Sequence, residues 1–401
     1  MRIKNLIIEY SCSQDKNYYI PISKELKALR SKSEIINFLD NHRYINLVIV
    51  NQLIKKLSAV DMDLCAELFD SLTDCDTITY NSFINAAGKG GRFDKAKKAF
   101  TEAKGAGLAD TATYNNFIDA AGKNGQFDEA KEAFEDAKDK GLIDIVTYNS
   151  FIDAAGKNGQ FNEALNAFVH ARGIGIANAI TYNSYIDVAG KNGQFSEALK
   201  AFGETIKKNL ANTITYSSFI DASGKNGRFD QAKKAMLVAV GKGLANVITY
   251  NNFIDAAGKN NQFDQAKIAF NKARDAKIAS IITYNSFIDA AGKNGELDQA
   301  KEALKEAGDK GLANAITYNS FINVAGKNGR FGEVKKAFEE AKGKGLVDAV
   351  THNGFIDAAM KNGHKAEALA LAQEYKYPLV DQCIEKGEID FALRHLKCNT
   401  Q

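Results

Sequence analysis

The 401-residue sequence has very little proline and no tryptophan, which limits the fold classes open to it. Its two prolines are Pro21 and Pro378. No segment alternates β-branched and polar residues in the way that strands do. Because proline is the strongest helix breaker, its near absence favours an all-α protein. No segment approaches the roughly 20 apolar residues of a membrane-spanning helix, so we expect no membrane segment.

Cysteine is also scarce, and the few cysteines argue against a secreted protein. Their number is odd and they form no CxxC or Cys/His cluster, so we expect reduced thiols in an intracellular, non-secretory protein. The N-terminal residues lack the apolar core of a secretory signal, and Glu9 and Asp15 argue against a mitochondrial presequence. The compartment, mitochondrion or cytoplasm, stays open. The cysteines are Cys12, Cys65, Cys75, Cys383 and Cys398.

The sequence lacks a large excess of either charge. Its 52 basic and 49 acidic residues give a formal net charge of +3, too small to hold a nucleic acid by charge alone. The histidines are scattered, and the sequence contains no catalytic triad, metal-ligand spacing or phosphate-binding loop. We therefore expect no enzyme activity, no metal and no cofactor. The histidines are His42, His170, His352, His364 and His395.

A Thr-Tyr-Asn word, or a close variant of it, recurs through most of the chain. Its first residue returns every 34 residues without an insertion, which is typical of a repeat protein. Repeat proteins grow in one dimension, so a chain of this length needs no separate globular domains. The nine threonines are Thr79, Thr113, Thr147, Thr181, Thr215, Thr249, Thr283, Thr317 and Thr351.

The repeat at residues 315–348 predicts two short helices, each with one apolar face. The Gly-Lys-Asn-Gly segment 326–329 is expected to break the first helix, since Asn and Gly tolerate the left-handed conformation. Gly343 and Gly345 are expected to end the second. Helices this short are unstable alone, so neighbouring repeats must stack. The predicted buried residues are Tyr318, Phe321, Ile322 and Ala325 on the first helix and Phe331, Val334, Ala337, Phe338 and Ala341 on the second.

These patterns predict an all-α fold, an α-α superhelical solenoid of helix-turn-helix repeats with degenerate ends. Within the N-terminal region, residues 33–39 predict one further helix. The predicted divisions are an N-terminal segment or helical cap of unread role at 1–46, a degenerate repeat at 47–76, eight regular repeats at 77–348, a ninth, degenerate repeat at 349–382, and a C-terminal capping helix at 383–401.

The first helix distinguishes between two families of 34-residue helical repeats. Tetratricopeptide repeats carry a Trp, a Leu-Gly pair and a Tyr there, and this chain has no tryptophan. The segment TYNSFIDAAGKNGQFDEA at 147–164 instead closely resembles the pentatricopeptide repeat, and the resemblance extends over residues 47–382. Members of that family usually have one more residue per repeat and often a proline near its end. The resemblance implies sequence-selective binding of single-stranded RNA, about one base per repeat.

In the pentatricopeptide family two positions per repeat read the base, namely the residue after Thr-Tyr and the last residue of the repeat. Carried over, the first set, here called the reading row, is Asn51, Asn81, Asn115, Asn149, Asn183, Ser217, Asn251, Asn285, Asn319 and Asn353. The second set, here called the cap row, is Asp76, Asp110, Asp144, Asn178, Asn212, Asn246, Ser280, Asn314 and Asp348.

Each row has a plain structural alternative. Asn, Asp and Ser are preferred helix N-caps, so the cap row is equally expected to cap the following helices, and one side chain can do both. Asn is a poor helix former compared with Ala. Keeping it through the reading row favours a surface role, with recent duplication as the alternative.

Two further rows complete the implied site. An aliphatic residue before each Thr flanks the bases in the family, with packing between repeats as the alternative. A lysine in each repeat is positioned to follow phosphates, with a solvated helix end as the alternative. The aliphatic row is Ile78, Ala112, Val146, Ile180, Ile214, Ile248, Ile282, Ile316 and Val350. The lysine row is Lys89, Lys123, Lys157, Lys191, Lys225, Lys259, Lys293, Lys327 and Lys361.

The family's pairing rules give a hypothesis for the target. Asn with Asp favours U, Asn with Asn or Ser favours C with U tolerated, and Ser with Asn favours A. The order from Asn51 onward is U, U, U, C/U, C/U, A, C, C/U, U, a pyrimidine-rich RNA with one A. The expected partner is this RNA bound by a monomer, which would act by occupancy in RNA stabilisation, processing or translation control. The alternative is a protein-interaction scaffold that binds a peptide or partner on its concave face.

Overall fold

The fold was examined in a computed structural model, which describes residues 16–42 and 45–374. Every regular element in these residues is an α-helix. In chain order the helices are α1 (Lys16–Ala28), α2 (Lys32–Asn41), α3 (Leu47–Val60), α4 (Met62–Asp70), α5 (Thr77–Lys89), α6 (Phe93–Gly105), α7 (Thr111–Lys123), α8 (Phe127–Asp139), α9 (Ile145–Lys157), α10 (Phe161–Gly173), α11 (Ala179–Lys191), α12 (Phe195–Lys207), α13 (Thr213–Lys225), α14 (Phe229–Gly241), α15 (Val247–Lys259), α16 (Phe263–Asp275), α17 (Ile281–Lys293), α18 (Leu297–Asp309), α19 (Ala315–Lys327), α20 (Phe331–Gly343), α21 (Ala349–Lys361) and α22 (Lys365–Glu374).

The chain divides into two compact units, Met1–Leu210 and Ala211–Gln401. In the first unit the first helices of successive repeats, α3, α5, α7, α9 and α11, pack one on the next. In the second unit α13, α15, α17, α19 and α21 do the same. Within each unit, each second helix packs on the first helix of its own repeat and on that of the following repeat. This two-layer packing of helix pairs is that of the predicted helical solenoid.

Buried aromatic and aliphatic side chains join the two layers, as the periodicity predicts. In the repeat at 315–348 all nine residues predicted to be buried are 4% exposed or less. Aromatic rings also pack across repeats. The ring of Phe100 on α6 lies parallel to that of Phe117 on α7, with centroids 4.0 Å apart, and Tyr114 of α7 packs edge-on against the Phe100 ring at 5.1 Å. Burial stabilises by about 1.5–3 kcal/mol for each large apolar side chain, and these contacts hold each repeat to its neighbour.

The Gly-Lys-Asn-Gly segment ends the first helix as predicted, but its opening glycine is still part of that helix. Gly326 lies inside α19, which continues to Lys327, and the turn follows at Asn328 and Gly329. Only Gly329 has a positive φ, of 72°. The first glycine instead lets two first helices approach. A Cβ added at Gly122 would lie 2.6 Å from the Ala154 Cα, a separation that no real side chain tolerates.

The asparagine of the same segment ties one repeat to the next. Asn124 Nδ2 donates to the carbonyl of Ala120 at 2.7 Å in its own helix and to that of Gly88 at 2.8 Å in the preceding repeat. Equivalent bonds join five later pairs of repeats. They run from Asn158 to Gly122, from Asn260 to Gly224, from Asn294 to Gly258, from Asn328 to Gly292 and from Asn362 to Gly326.

The two ends of the chain were less completely predicted. The helix expected at 33–39 is α2, whose start is fixed by a capping box between Ser31 and Glu34. Helix α1 was not predicted, and it contains Pro21. The C-terminal capping helix expected at 383–401 lies outside the described residues. Across 16–42 and 45–374, no helix has the length and apolarity needed to cross a bilayer.

Candidate nucleic-acid interface

The reading row lies along the layer of first helices. Each member sits in the second turn of its helix, and its exposure ranges from low to intermediate; Asn115, for example, is 9% exposed. Within each unit the first helices stack on one another, so the reading residues of that unit follow the direction of stacking. Successive repeats therefore present equivalent side chains at regular intervals, as the reading of a polymer requires.

The cap row caps the first helices throughout. Asp110 has an extended backbone, and its Oδ1 accepts hydrogen bonds from the backbone N–H and the hydroxyl of Thr113, both at 2.8 Å. The Thr113 hydroxyl also accepts from the Asp110 N–H at 3.0 Å. Every member of the cap row stands at the N-cap position of its helix. The recurring Thr of the Thr-Tyr-Asn word is therefore the partner of the cap and is fully buried.

Three pairs show that the reading and cap rows meet. Asn81 Nδ2, on α5, donates to Oδ1 of Asp110, the cap of α7, at 3.2 Å. The same bond joins Asn115 to Asp144 and Asn319 to Asp348, both at 3.3 Å. The two side chains that the resemblance assigns to one base thus lie side by side, although they are 29 residues apart in the sequence.

An aspartate cap has a second carboxylate oxygen that faces no hydrogen-bond donor in the described residues. All side-chain hydrogen bonds of Asp110 use Oδ1, which leaves Oδ2 without a partner in the described residues. Burial opposes ionisation of this carboxyl, but hydrogen bonds from Thr113 and Asn81 outweigh it and lower its pKa. Bonds from Thr351 and Asn319 likewise lower the pKa of Asp348. At neutral pH these side chains are ionised and can only accept.

In eight members of the reading row the amide oxygen is buried and has no hydrogen-bond partner among the described residues. An unpaired buried acceptor costs about 1–3 kcal/mol, so stability does not explain why asparagine recurs here when alanine is common in the same helices. The pattern therefore favours a role in binding. The atoms concerned are Oδ1 of Asn51, Asn81, Asn115, Asn149, Asn251, Asn285, Asn319 and Asn353.

Ser217 is the one reading position without asparagine, and its surroundings differ. Its hydroxyl donates to the Thr213 carbonyl at 2.9 Å and lies 2.9 Å from the Thr249 hydroxyl. Thr249 in turn donates to Asn246 Oδ1 at 3.2 Å, so Ser217 and Asn246 are linked through this one threonine. The serine side chain has two fewer heavy atoms than that of asparagine.

The aliphatic row is exposed, which argues against the alternative that it packs between repeats. Its large members are 50% exposed at Val146 and up to 63% at Ile78, and Ala112 is also exposed. A regular line of solvent-exposed aliphatic side chains has no stabilising role and is typical of a contact surface. Sequence reasoning missed Val48, which is 59% exposed and stands before Asn51 as Ile78 stands before Asn81.

Most of the lysine row is paired with acidic residues. Each lysine is the last residue of its first helix, and in seven repeats an aspartate four residues earlier forms an ion pair with it. Such exposed pairs contribute at most about 1 kcal/mol each, and they neutralise the lysine locally. The pairs are Lys123–Asp119, Lys157–Asp153, Lys191–Asp187, Lys225–Asp221, Lys259–Asp255, Lys293–Asp289 and Lys361–Asp357.

Taken together, fold and site define a class of helical-repeat protein that presents one equivalent set of polar and aliphatic side chains per repeat. Models of the pentatricopeptide family match more than half of the chain, and the chain belongs to this family. The PPR repeat matches residues 78–108, 112–142, 146–176, 180–210, 214–243, 248–278 and 316–346, and the pentatricopeptide repeat domain matches 271–328. Comparison with curated protein sequences gives no match.

Solved structures agree on the fold. The chain is similar to the pentatricopeptide repeat protein PPR10 in complex with an 18-nt psaJ RNA element, with 18% identity and a TM-score of 0.56 over 95% of this chain. A cysteine-to-serine variant of PPR10 in complex with an 18-nt psaJ RNA element gives the same values. PPR10 from maize has 24% identity and a TM-score of 0.45, covering 92% of this chain and 60% of that one. The chain spans 62% of the PPR10 chain in either RNA complex.

Proposed function

We propose that this protein binds single-stranded RNA selectively, one base per repeat, and acts by occupying its target. The observation that carries the proposal is the set of side chains that recurs in successive repeats: a reading residue, a neighbouring cap and an exposed aliphatic side chain. The fold is shared with PPR10, whose crystal structures hold an 18-nt RNA element. RNA is therefore the first class of ligand to test.

The chemistry of the pairs supports the base assignments. Uracil carries an N–H donor at N3 between two carbonyl acceptors, whereas cytosine carries an acceptor at N3. The ionised Oδ2 of Asp110 can only accept, so it suits uracil. An asparagine cap can also donate, which suits cytosine and tolerates uracil. At Ser217 the shorter side chain leaves space for the larger ring of adenine. The proposed target from 5′ to 3′ is then UUUCCACCU, with either pyrimidine accepted where the cap is asparagine.

The proposed mode of action, occupancy of the RNA target, follows from the chemistry of the reading, cap and aliphatic rows. The proposed site offers hydrogen-bond acceptors, hydrogen-bond donors and apolar surfaces, which are groups that bind a base. A bound stretch of about nine nucleotides is kept single-stranded and out of reach of nucleases, ribosomes and pairing partners. Control of RNA stability, processing or translation is the expected consequence.

The first experiment is a binding titration of the purified chain. The probes are the proposed nonamer, an RNA of the same composition in scrambled order, and DNA of the same sequence. We expect the nonamer to bind most tightly and the scrambled RNA about tenfold or more weakly, since each mismatch costs on the order of 1 kcal/mol or more. Equal affinity for both RNAs would contradict base reading. Absence of binding to any RNA would favour the protein-interaction scaffold instead.

The aliphatic row predicts a loss of affinity without a loss of stability. Changing both Ile248 and Ile282 to alanine removes two surfaces on which bases rest, and we expect RNA affinity to fall about tenfold. Because these side chains are 54% and 59% exposed, the melting temperature should not change. Leu237 on α14, 62% exposed on a second helix, provides a matched control. Its change to alanine should affect neither quantity, and an equal loss from both variants would rule out a specific role for the row.

A further inference from the structure

The lysine row is not uniform in charge. Two of its members lack the aspartate four residues earlier, because Asn85 precedes Lys89 and Asn323 precedes Lys327. Within residues 16–42 and 45–374, neither lysine has an acidic side chain at ion-pair distance, whereas the seven others do. At the lysine row, the first and the eighth repeats of the regular array therefore each carry one positive charge without an acidic partner in the described residues, whereas in seven other repeats an aspartate pairs with the lysine.

The surroundings of Lys89 reinforce its charge. In the preceding degenerate repeat, the position equivalent to the missing aspartate holds Lys55, which is exposed. The nearby acids are used elsewhere: Asp63 pairs with Arg92 at 2.5 Å, and Asp70 pairs with two lysines of α6. Asp110 lies beside Asn81. Asn81 is about 12 Å along α5 from Lys89, so Asp110 is also distant from this lysine.

In the repeats on either side of Lys327, the aspartates equivalent to Asn323 are paired with their own lysines. Asp289 of the preceding repeat pairs with Lys293, and Asp357 of the following repeat pairs with Lys361 at 2.5 Å. Asp348 adjoins Asn319, again near the opposite end of α19. Such a paired aspartate can also attract the lysine of the next repeat. Lys293, for example, lies 3.8 Å from Asp255 of the repeat before it. Replacing the aspartate by Asn323 thus removes an acid from the reach of two lysines.

We propose that Lys89 and Lys327 are the main phosphate anchors of the RNA, one near each end of the regular array. This inference rests on the proposed function. A carboxylate about 2.5–2.6 Å from a lysine cancels much of its attraction for a phosphate, so the paired lysines of this row attract a phosphate only weakly. Charge attraction is the same for every sequence. If this attraction acts mainly at two repeats, it holds the RNA strand in register. The choice between RNA sequences is then made by the side chains that contact the bases in between.

The test installs the missing aspartates. The variant N85D/N323D copies what seven other repeats already contain, so it is expected to fold as the wild type does. Affinity for the UUUCCACCU nonamer is measured between about 0.05 and 0.3 M salt. Each phosphate contact on a single strand contributes about 0.7 to the slope of log K against log salt. We expect the slope to flatten by about 1.4 and the affinity near 0.15 M to fall about tenfold.

Two matched variants of a paired repeat complete the experiment. D153N frees Lys157 and copies the first and eighth repeats, so the slope should steepen by about 0.7. D153N/K157Q removes the whole pair and should leave the slope unchanged. If the wild type binds RNA and N85D/N323D keeps its slope and affinity, the anchors are refuted while the proposed function stands. If the wild type binds no RNA, the proposed function fails and the anchors with it.

Discussion

Changing Gly122 to alanine is expected to lower the free energy of unfolding by about 1–3 kcal/mol or more. The added Cβ would lie 2.6 Å from the Ala154 Cα on the next first helix, so the two helices must separate. Separation also strains the bond from Asn158 Nδ2 to the Gly122 carbonyl, now 3.0 Å long. Since a solenoid is held together by contacts between neighbours, weakening one interface weakens the cooperativity of the unit. Urea unfolding followed by circular dichroism measures both effects.

Gly105 provides the control for this change. It is the last residue of α6, and a Cβ built on it would have nothing within 4 Å. Alanine is the better helix former, so the G105A variant should be as stable as the wild type or more stable by up to about 1 kcal/mol. Comparable losses in the two variants would mean that the close approach at Gly122 does not limit stability.

The period of the sequence was sufficient to predict the repeat and its buried faces. The exact recurrence of Thr-Tyr-Asn fixes which residues are equivalent, and a 3.6-residue spacing of apolar residues within one repeat fixes which face is buried. The packing role of Gly326 was not predicted, because glycine near a helix end usually signals only the end of the helix. Its real role depends on how closely the next helix approaches, and a single repeat taken alone does not contain that distance.

The candidate site was predictable in position but not in electrostatics. The spacing of Asp119 and Lys123 by four residues was visible and is the ordinary signal of a helix ion pair. The pairing of the lysine row, and the exception at Asn85, follow from this spacing and not from the lysines alone. The unpaired amide oxygens of the reading row could not be predicted, since they depend on the burial that stacked helices impose. Helix α1 was hidden by Pro21, a residue that normally argues against a helix interior.

Changing Ser217 to asparagine should switch the base preferred at the sixth position of the RNA. Asparagine occupies this position in the other repeats, so the fold should accept it. The longer side chain fills the space beside Asn246 and replaces the link through Thr249. We expect the S217N variant to prefer C or U over A at that position by about tenfold, reversing the wild-type preference. Competition among four nonamers that differ only at the sixth base measures the switch.

The reverse change provides an independent check on the same chemistry. Asn149 is followed by Asn178 as its cap, so N149S creates the Ser-Asn pair that Ser217 and Asn246 form naturally. The fourth base should then become A, while the sixth stays A. If S217N switches the sixth base and N149S switches the fourth, then a reading and cap pair selects its base wherever the pair lies in the array. If neither variant changes its preference although both bind RNA, the shape of the pocket beside the cap does not select the base. Selectivity would then have to come from the aliphatic row that separates the bases.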